Sequence, residues 1–155
     1  MSITLQNLEG ALAGESMANI KYRYFAKLAR AEGFEEVALH FEHTAHQEML
    51  HAWGHLELLI GKPDTKRCLE MAIEGETYEY TTMYPQFERQ AKVDQNIEAV
   101  KEFNEQGRES LEHAQAFKKV LETAEKRFAA LSKVEKRHAE AYQQVWDAVV
   151  NQGVK

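Results

Sequence analysis

The chain has 155 residues, 28% of them charged, and a formal net charge of −6. This length supports one domain with its own core, and the acidic balance argues against nucleic acid or an anionic membrane as the main partner. The single cysteine, Cys68, excludes a disulfide framework or a four-cysteine metal site within one chain. No apolar run approaches the roughly 20 residues of a membrane span, and no secretory signal is visible. We therefore expect a cytoplasmic protein.

Helical periodicity predicts the first two elements. Apolar residues recur every three or four positions from Leu8 onward, and Gly33 is placed to end this first helix. A second helix is predicted from about Glu35 to Ile60, where the segment GKPDT (61–65) ends it. The aspartate or threonine of that segment can cap a third helix.

The second half of the chain contains few helix breakers. Pro85 lies inside the third predicted helix and predicts a kink there. Gly107 is the strongest turn signal after it and predicts the start of a fourth helix. Strand-like alternation is absent. The sequence therefore predicts an all-α protein that forms a single domain over residues 1–155, folded as a four-helix bundle. In one version of this prediction the final helical hairpin is extended.

Acidic residues lie at matching heights on either side of the predicted turns. Glu15 precedes the first turn by 18 residues and Glu48 follows it by 15, while Glu79 and Glu135 are each 28 residues from Gly107. Equal heights would place these carboxylates together in the middle of a bundle. Buried charge costs several kcal/mol per ion unless it is compensated, and a metal cation removes that cost.

Two Glu-x-x-His pairs make the metal interpretation specific. Glutamate and histidine three residues apart share one helix face and can bind the same ion. One such pair alone usually lies on a solvated surface, but two pairs with further glutamates match the ligand pattern of di-metal carboxylate proteins. Carboxylate and imidazole ligands suit iron or manganese. The candidate ligands are Glu15, Glu48, His51, Glu76, Glu79, Glu135 and His138.

Three stretches carry a family resemblance: GESMANIKYRYFAKLARAEGFEEVA (14–38), GETYEYTTMYPQF (75–87) and VEKRHAEAY (134–142). They resemble the rubrerythrin family, and within it the short sulerythrin- and symerythrin-type members without a rubredoxin domain. The resemblance implies a ferritin-like diiron domain. It matches Glu15, Glu48, His51, Glu76 and Glu79 to metal ligands, and Tyr22 and Tyr84 to tyrosines that hydrogen-bond the ligand carboxylates.

The fourth helix departs from the family pattern, and two alignments compete. Without an insertion, His113 takes the histidine role, Ser110 stands in place of the bridging glutamate, and Glu109 would substitute for it. With the last two helices each lengthened, Glu135 and His138 reach the site. We prefer the second alignment, because it keeps an intact Glu-x-x-His and uses the one strong breaker.

The resemblance implies an enzyme that reduces hydrogen peroxide to water at two iron ions, with manganese or zinc as alternative occupants. A rubredoxin-type iron site needs four cysteines. The single Cys68 therefore implies an external electron donor, either rubredoxin-like or a reductase. A diiron oxidase or ferroxidase, an iron-binding protein, and a non-enzymatic metal-stabilised bundle are the alternatives.

The linker between the second and third helices predicts a homodimer. In a ferritin-like topology these helices run parallel, so the link must travel the length of the bundle, about 30 Å for 20 helical residues. The five residues 61–65 reach at most roughly 18 Å. Exchange of helix pairs between two chains would remove this conflict, and a simple up-down-up-down monomer is the alternative.

Overall fold

A computed structural model describes residues 2–152, and these are almost entirely helical. The all-α prediction is confirmed, since this part of the chain contains no strand. Within it, no helix is both long enough and apolar enough to cross a membrane. The elements are α1 (Ile3–Ala31), α2 (Glu35–Ile60), α3 (Thr65–Tyr78), a π turn (Glu79–Met83), α4 (Tyr84–Val93) and α5 (Ile97–Gln152).

The chain divides into two compact units, Met1–Pro63 and Asp64–Lys155. The first is a hairpin of α1 and α2, and its turn is where the sequence predicts it. Gly33 has φ +85°, a conformation that costs glycine little. The Gly33 N–H donates to the Arg30 carbonyl and the Phe34 N–H to the Ala29 carbonyl, which is the Schellman pattern of a helix end.

Small side chains line the contact between α1 and α2. Ala26, Ala38 and Ala45 are buried, so the two helices approach closely. The Asn19 side chain donates to the Ala45 carbonyl across the pair. Arg30 adds surface ion pairs that join the end of α1 to the start of α2. This packing fixes the register of the two helices and therefore which carboxylates meet.

The second unit packs α3, the π turn and α4 against the first half of α5. Asp64 caps α3 as the sequence predicts, with its Oδ1 accepting from the Arg67 N–H at 2.7 Å. The connection to α5 is the short turn 94–96. Gln95 has φ 57° there, and the Asn96 N–H donates to the Ala91 carbonyl at 2.9 Å.

The predicted break at Gly107 is wrong, and with it the extended final hairpin. α5 is one continuous helix of 56 residues that runs through this position. A Cβ on Gly107 would lie 3.3 Å from the Tyr84 Cβ. Glycine is therefore used here for the close approach of two helices and not for a turn.

A kink is predicted at Pro85, and the structure has a π turn just before this residue. Proline has no N–H, so the regular hydrogen-bond ladder cannot continue through it. The Tyr84 N–H instead donates to the Glu79 carbonyl five residues back. The Thr81 hydroxyl also donates to the Thr77 carbonyl at 2.6 Å. Such π turns are often found at functional sites.

Candidate metal-binding clusters

The first unit gathers Glu15, Glu48 and His51, here called the α1/α2 cluster. One ligand atom from each residue lies within 4.8 Å of the others, a spacing that one metal ion can bridge. The His51 Nδ1 lies 3.1 Å from a Glu48 carboxylate oxygen, as the i, i+3 spacing predicts. Glu48 is mostly covered, whereas His51 is exposed. The structure thus brings three of the predicted ligands together, and their binding of a metal stays a prediction.

Electrostatics in the α1/α2 cluster favour a cation. The pKa of Glu15 is raised, first by its hydrogen bond with Glu48, then by burial, and then by the Glu48 charge. Two carboxylates this close share a proton when nothing else neutralises them. A metal ion would take the place of that proton and would leave both groups ionised.

The second unit gathers Glu76, Glu79, Ser110 and His113, here called the α3/α5 cluster. The Ser110 hydroxyl donates to Glu79 Oε2 at 2.9 Å. The His113 Nδ1 lies 3.4 Å from Glu76 Oε1. Ser110 is buried, so its bond to Glu79 is shielded from water. These contacts place the glutamates of α3 and the π turn against the middle of α5.

One carboxylate oxygen of this cluster lacks a partner. Glu76 Oε2 is buried and accepts no hydrogen bond, the one such side-chain atom in the part of the chain described. Leaving a buried acceptor unsatisfied costs about 1–3 kcal/mol, and more when the group is charged. An ion bound at Glu76 would satisfy this oxygen, so the donor set fits a metal.

Tyr84 lies beside the α3/α5 cluster. Its pKa is raised, first by burial and then by the charges of Glu79 and Glu76. The hydroxyl therefore keeps its proton and can serve as a hydrogen-bond donor. Its ring packs against Phe87 and Phe103, with centroids 6.5 and 6.4 Å away.

Tyr22, the other predicted tyrosine, has a packing role in the first unit. Its ring lies 6.3 Å from that of Phe25 and 6.0 Å from that of Phe41. These three rings form an aromatic cluster between α1 and α2. A hydrogen bond from the Tyr22 hydroxyl to a ligand carboxylate stays a prediction.

The structure does not bring Glu135 and His138 to Glu76 and Glu79. They lie on the same helix as His113, 22 and 25 residues beyond it, which is about 33 Å or more along the axis. Their assignment rested on a turn at Gly107 that the structure does not have. The residues of α5 that contact Glu79 and Glu76 are Ser110 and His113. The ungapped alignment puts His113 in the histidine role and Ser110 in place of the bridging glutamate, with Glu109 as the substitute for it. Its signal was the Ser-x-x-His spacing, with serine where a glutamate was expected.

Comparisons with known proteins match the part of the chain that contains both clusters. The rubrerythrin family model matches residues 6–121, which include both clusters and exclude Glu135 and His138. Nigerythrin from Nitratidesulfovibrio vulgaris is 38% identical over 114 residues, covering 64% of this chain and 56% of that protein. A putative rubrerythrin from Methanocaldococcus jannaschii is 33% identical over 147 residues, covering 81% of this chain and 72% of that protein.

A solved structure of fully reduced, all-ferrous nigerythrin is 32% identical to this chain, with a TM-score of 0.41 and coverage of 81% of this chain and 69% of that one. Of the curated nigerythrin sequence, by contrast, the chain spans little more than half the length, 56%.

Proposed function

Since this chain belongs to the rubrerythrin family of ferritin-like diiron proteins, we propose that it binds two iron ions and reduces hydrogen peroxide to water. The observation that carries the proposal is the pair of clusters, each offering two glutamates and one histidine. The orphaned oxygen of Glu76 adds to it. Carboxylate and imidazole donors fit iron, with manganese or zinc as alternative occupants.

The chemistry requires two electrons and two protons for each peroxide. When bound, two ferrous ions supply the two electrons that cleavage of the O–O bond consumes, and two water molecules form. The chain's own residues hold the metals and supply protons. Glu15, Glu48 and His51 form one donor set, and Glu76, Glu79 and His113 form the other.

We assign proton supply to Tyr84, whose hydroxyl is influenced by the charges of Glu79 and Glu76. Burial and the nearby glutamates keep its hydroxyl protonated, as its raised pKa indicates. A positioned donor of this kind contributes typically 100-fold or more to proton transfer. Ser110 has a different part: its hydrogen bond fixes one oxygen of Glu79 and leaves the other free for a metal.

Electrons for the next cycle come from a separate donor in this proposal. A rubredoxin-type iron site uses four cysteines, and the chain has one. A rubredoxin-like protein or a reductase is the class of partner that fits.

The proposal predicts that the diferrous protein reacts at least about tenfold faster with hydrogen peroxide than with dioxygen. Stopped-flow absorbance, with anaerobic protein mixed against each oxidant, gives the two second-order rate constants. Tyr84→Phe should slow the peroxide reaction by about a hundredfold or more. Tyr24→Phe removes an exposed hydroxyl of α1 and is the matched control. Equal rates, or a faster reaction with oxygen, would favour the oxidase or ferroxidase alternative. An unreactive protein would favour a structural metal site.

We also propose a homodimer, with exchange of helix pairs as its simplest form. The connection between α2 and α3 is only residues 61–64, and its span is at most roughly 14 Å. Light scattering at micromolar concentration should give at least twice the 17.8 kDa mass of one chain. A monomeric mass would support the up-down-up-down alternative.

A further inference from the structure

α5 continues far beyond the helices that pack against it in its own unit. α3 begins at Thr65, and Lys66 in its first turn pairs with Glu125 at 2.9 Å. From residue 126 to Gln152, here called the α5 tail, the helix has passed the start of α3. The family match has already ended at residue 121. The tail is thus an addition to the part of the chain that carries both clusters.

The tail repeats the spacing of the packed half of α5. In that half, buried and half-buried residues alternate at steps of three and four: Phe103, Gly107, Ser110, Ala114, Phe117, Leu121 and Ala124. The same steps continue to Phe128 and Leu131, then to Glu135 and His138, and then to Tyr142 and Val145. Val149 is the next position. A heptad repeat sustained over more than three heptads is typical of a coiled-coil seam.

The apolar members of this seam are exposed in the single chain. Phe128 is 64% exposed, Leu131 57% and Tyr142 75%. Exposed apolar residues on one helix face, here on both sides of Glu135 and His138, mark a surface that another helix covers.

Most residues beside the seam are small or apolar. The flanking positions hold Ser132, Val134, Ala139, Ala141 and Ala148, together with the larger side chains of Arg127 and Trp146. Outward positions on the opposite face hold charged residues at seven-residue intervals: Lys126, Lys133, Glu140 and Asp147. The tail is therefore amphipathic, with one face for a partner and one for water.

We propose that the α5 tail pairs antiparallel with the α5 tail of a second copy of this chain, about a two-fold axis that passes between Lys136 and Arg137. In this register Phe128 packs on the partner's Val145, and Leu131 on the partner's Tyr142. Ala124 meets the partner's Val149. Every seam position then faces a seam position, as antiparallel coiled coils require, and the interface is self-complementary.

Charge complementarity selects this register and this partner. Glu135 faces the partner's His138, so that each imidazole N–H can donate to a carboxylate and two polar pairs form at the centre. A parallel pair would instead set Glu135 against the partner's Glu135. An antiparallel pair shifted by one heptad would bury Glu135 against Leu131 or Val145 without a partner, at a cost in desolvation.

The first test measures distances between spin labels on the full-length chain, after Cys68→Ser. Single cysteines replace Lys133, Glu140, Lys126 or Asp147, all on the outward face. The two-fold axis predicts one shared distance for labels at 133 and 140, which are roughly 10 Å apart along the axis. It predicts a second, longer shared distance for 126 and 147, roughly 30 Å apart along the axis. The proposal would be overturned if the distances for 133 and 140 differ, if those for 126 and 147 differ, or if no dipolar coupling between labels on two chains is measurable.

Substitutions in the seam give the second test with the same labels. Leu131→Asp should weaken tail pairing on the order of 100-fold, since it places a charge in two seam layers. Ala130→Asp, one residue away on an exposed face, should change it less than about threefold. A dimer held by other surfaces alone would show equal effects for both variants.

A charge exchange separates the antiparallel register from a parallel one. Glu135→Lys should weaken pairing, because an ammonium then faces an imidazole. Adding His138→Glu should restore it, because the introduced lysine and glutamate face each other across the antiparallel pair. Failure of the double variant to restore pairing would contradict the register.

Discussion

Glu48→Ala should abolish metal binding at the α1/α2 cluster and reduce the iron bound per chain from about two equivalents to about one or fewer. One carboxylate oxygen of Glu48 lies 3.1 Å from the His51 Nδ1, and ligand atoms of Glu48 and Glu15 lie within 4.8 Å of each other, so its loss removes a carboxylate that both other members depend on. Loss of a group that only orients a ligand already costs on the order of 10–100-fold in metal affinity, and loss of a ligand costs more. Anaerobic titration with ferrous iron measures the change.

The matched control is Glu57→Ala, nine residues further along α2. Glu57 is exposed and pairs with Lys62 at the surface, an interaction of small energetic value. Its replacement should leave iron binding unchanged. The melting temperature of metal-free Glu48→Ala shows whether the helical hairpin is intact. If both variants bind the same amount of iron as the parent chain, Glu48 is not a ligand.

His113→Ala should weaken metal binding at the α3/α5 cluster by about 10–100-fold or more, whereas His138→Ala should leave it unchanged. The reason is position: the His113 Nδ1 lies 3.4 Å from Glu76, and His138 lies 25 residues further along the same helix. Both histidines are exposed members of α5, so each serves as the other's control.

Competition with a metal chelator of known affinity gives the two dissociation constants for this comparison. His138→Ala should instead affect association between the α5 tails, where its imidazole faces a glutamate. Loss of iron in His138→Ala, with normal binding in His113→Ala, would restore the lengthened alignment and remove Ser110 and His113 from the site.

Local signals in the sequence were sufficient for the first unit. The bounds of α2 and the turn at Gly33 both follow from residues whose own conformational preferences determine the structure. The Glu-x-x-His spacing on a helix then placed Glu48 and His51 on one face, and the turn position placed Glu15 opposite them. The resemblance to the rubrerythrin family, drawn from three short stretches, is confirmed by the family match.

In the second unit, the start of the last helix was predicted wrongly for two physical reasons. The turn before α5 uses Gln95 at positive φ, where no glycine or proline marks it. Gly107 looks like a breaker, but its small size serves the contact with Tyr84. Glu135 and His138 were then assigned because they form an intact Glu-x-x-His pair, with Glu135 as far beyond Gly107 as Glu79 lies before it. Periodicity identifies a helix face, but it does not identify what that face meets.

The most direct test of the account is the iron content of the unmodified chain. Protein freed of metal and titrated anaerobically with ferrous iron should bind close to two equivalents, and both should remain after passage over a chelating resin. Mössbauer spectroscopy of the oxidised product should then show two ferric ions per chain, each in a site of oxygen and nitrogen ligands. Binding of no iron, or of a single equivalent that the resin removes, would contradict the account and leave the glutamate clusters without a metal.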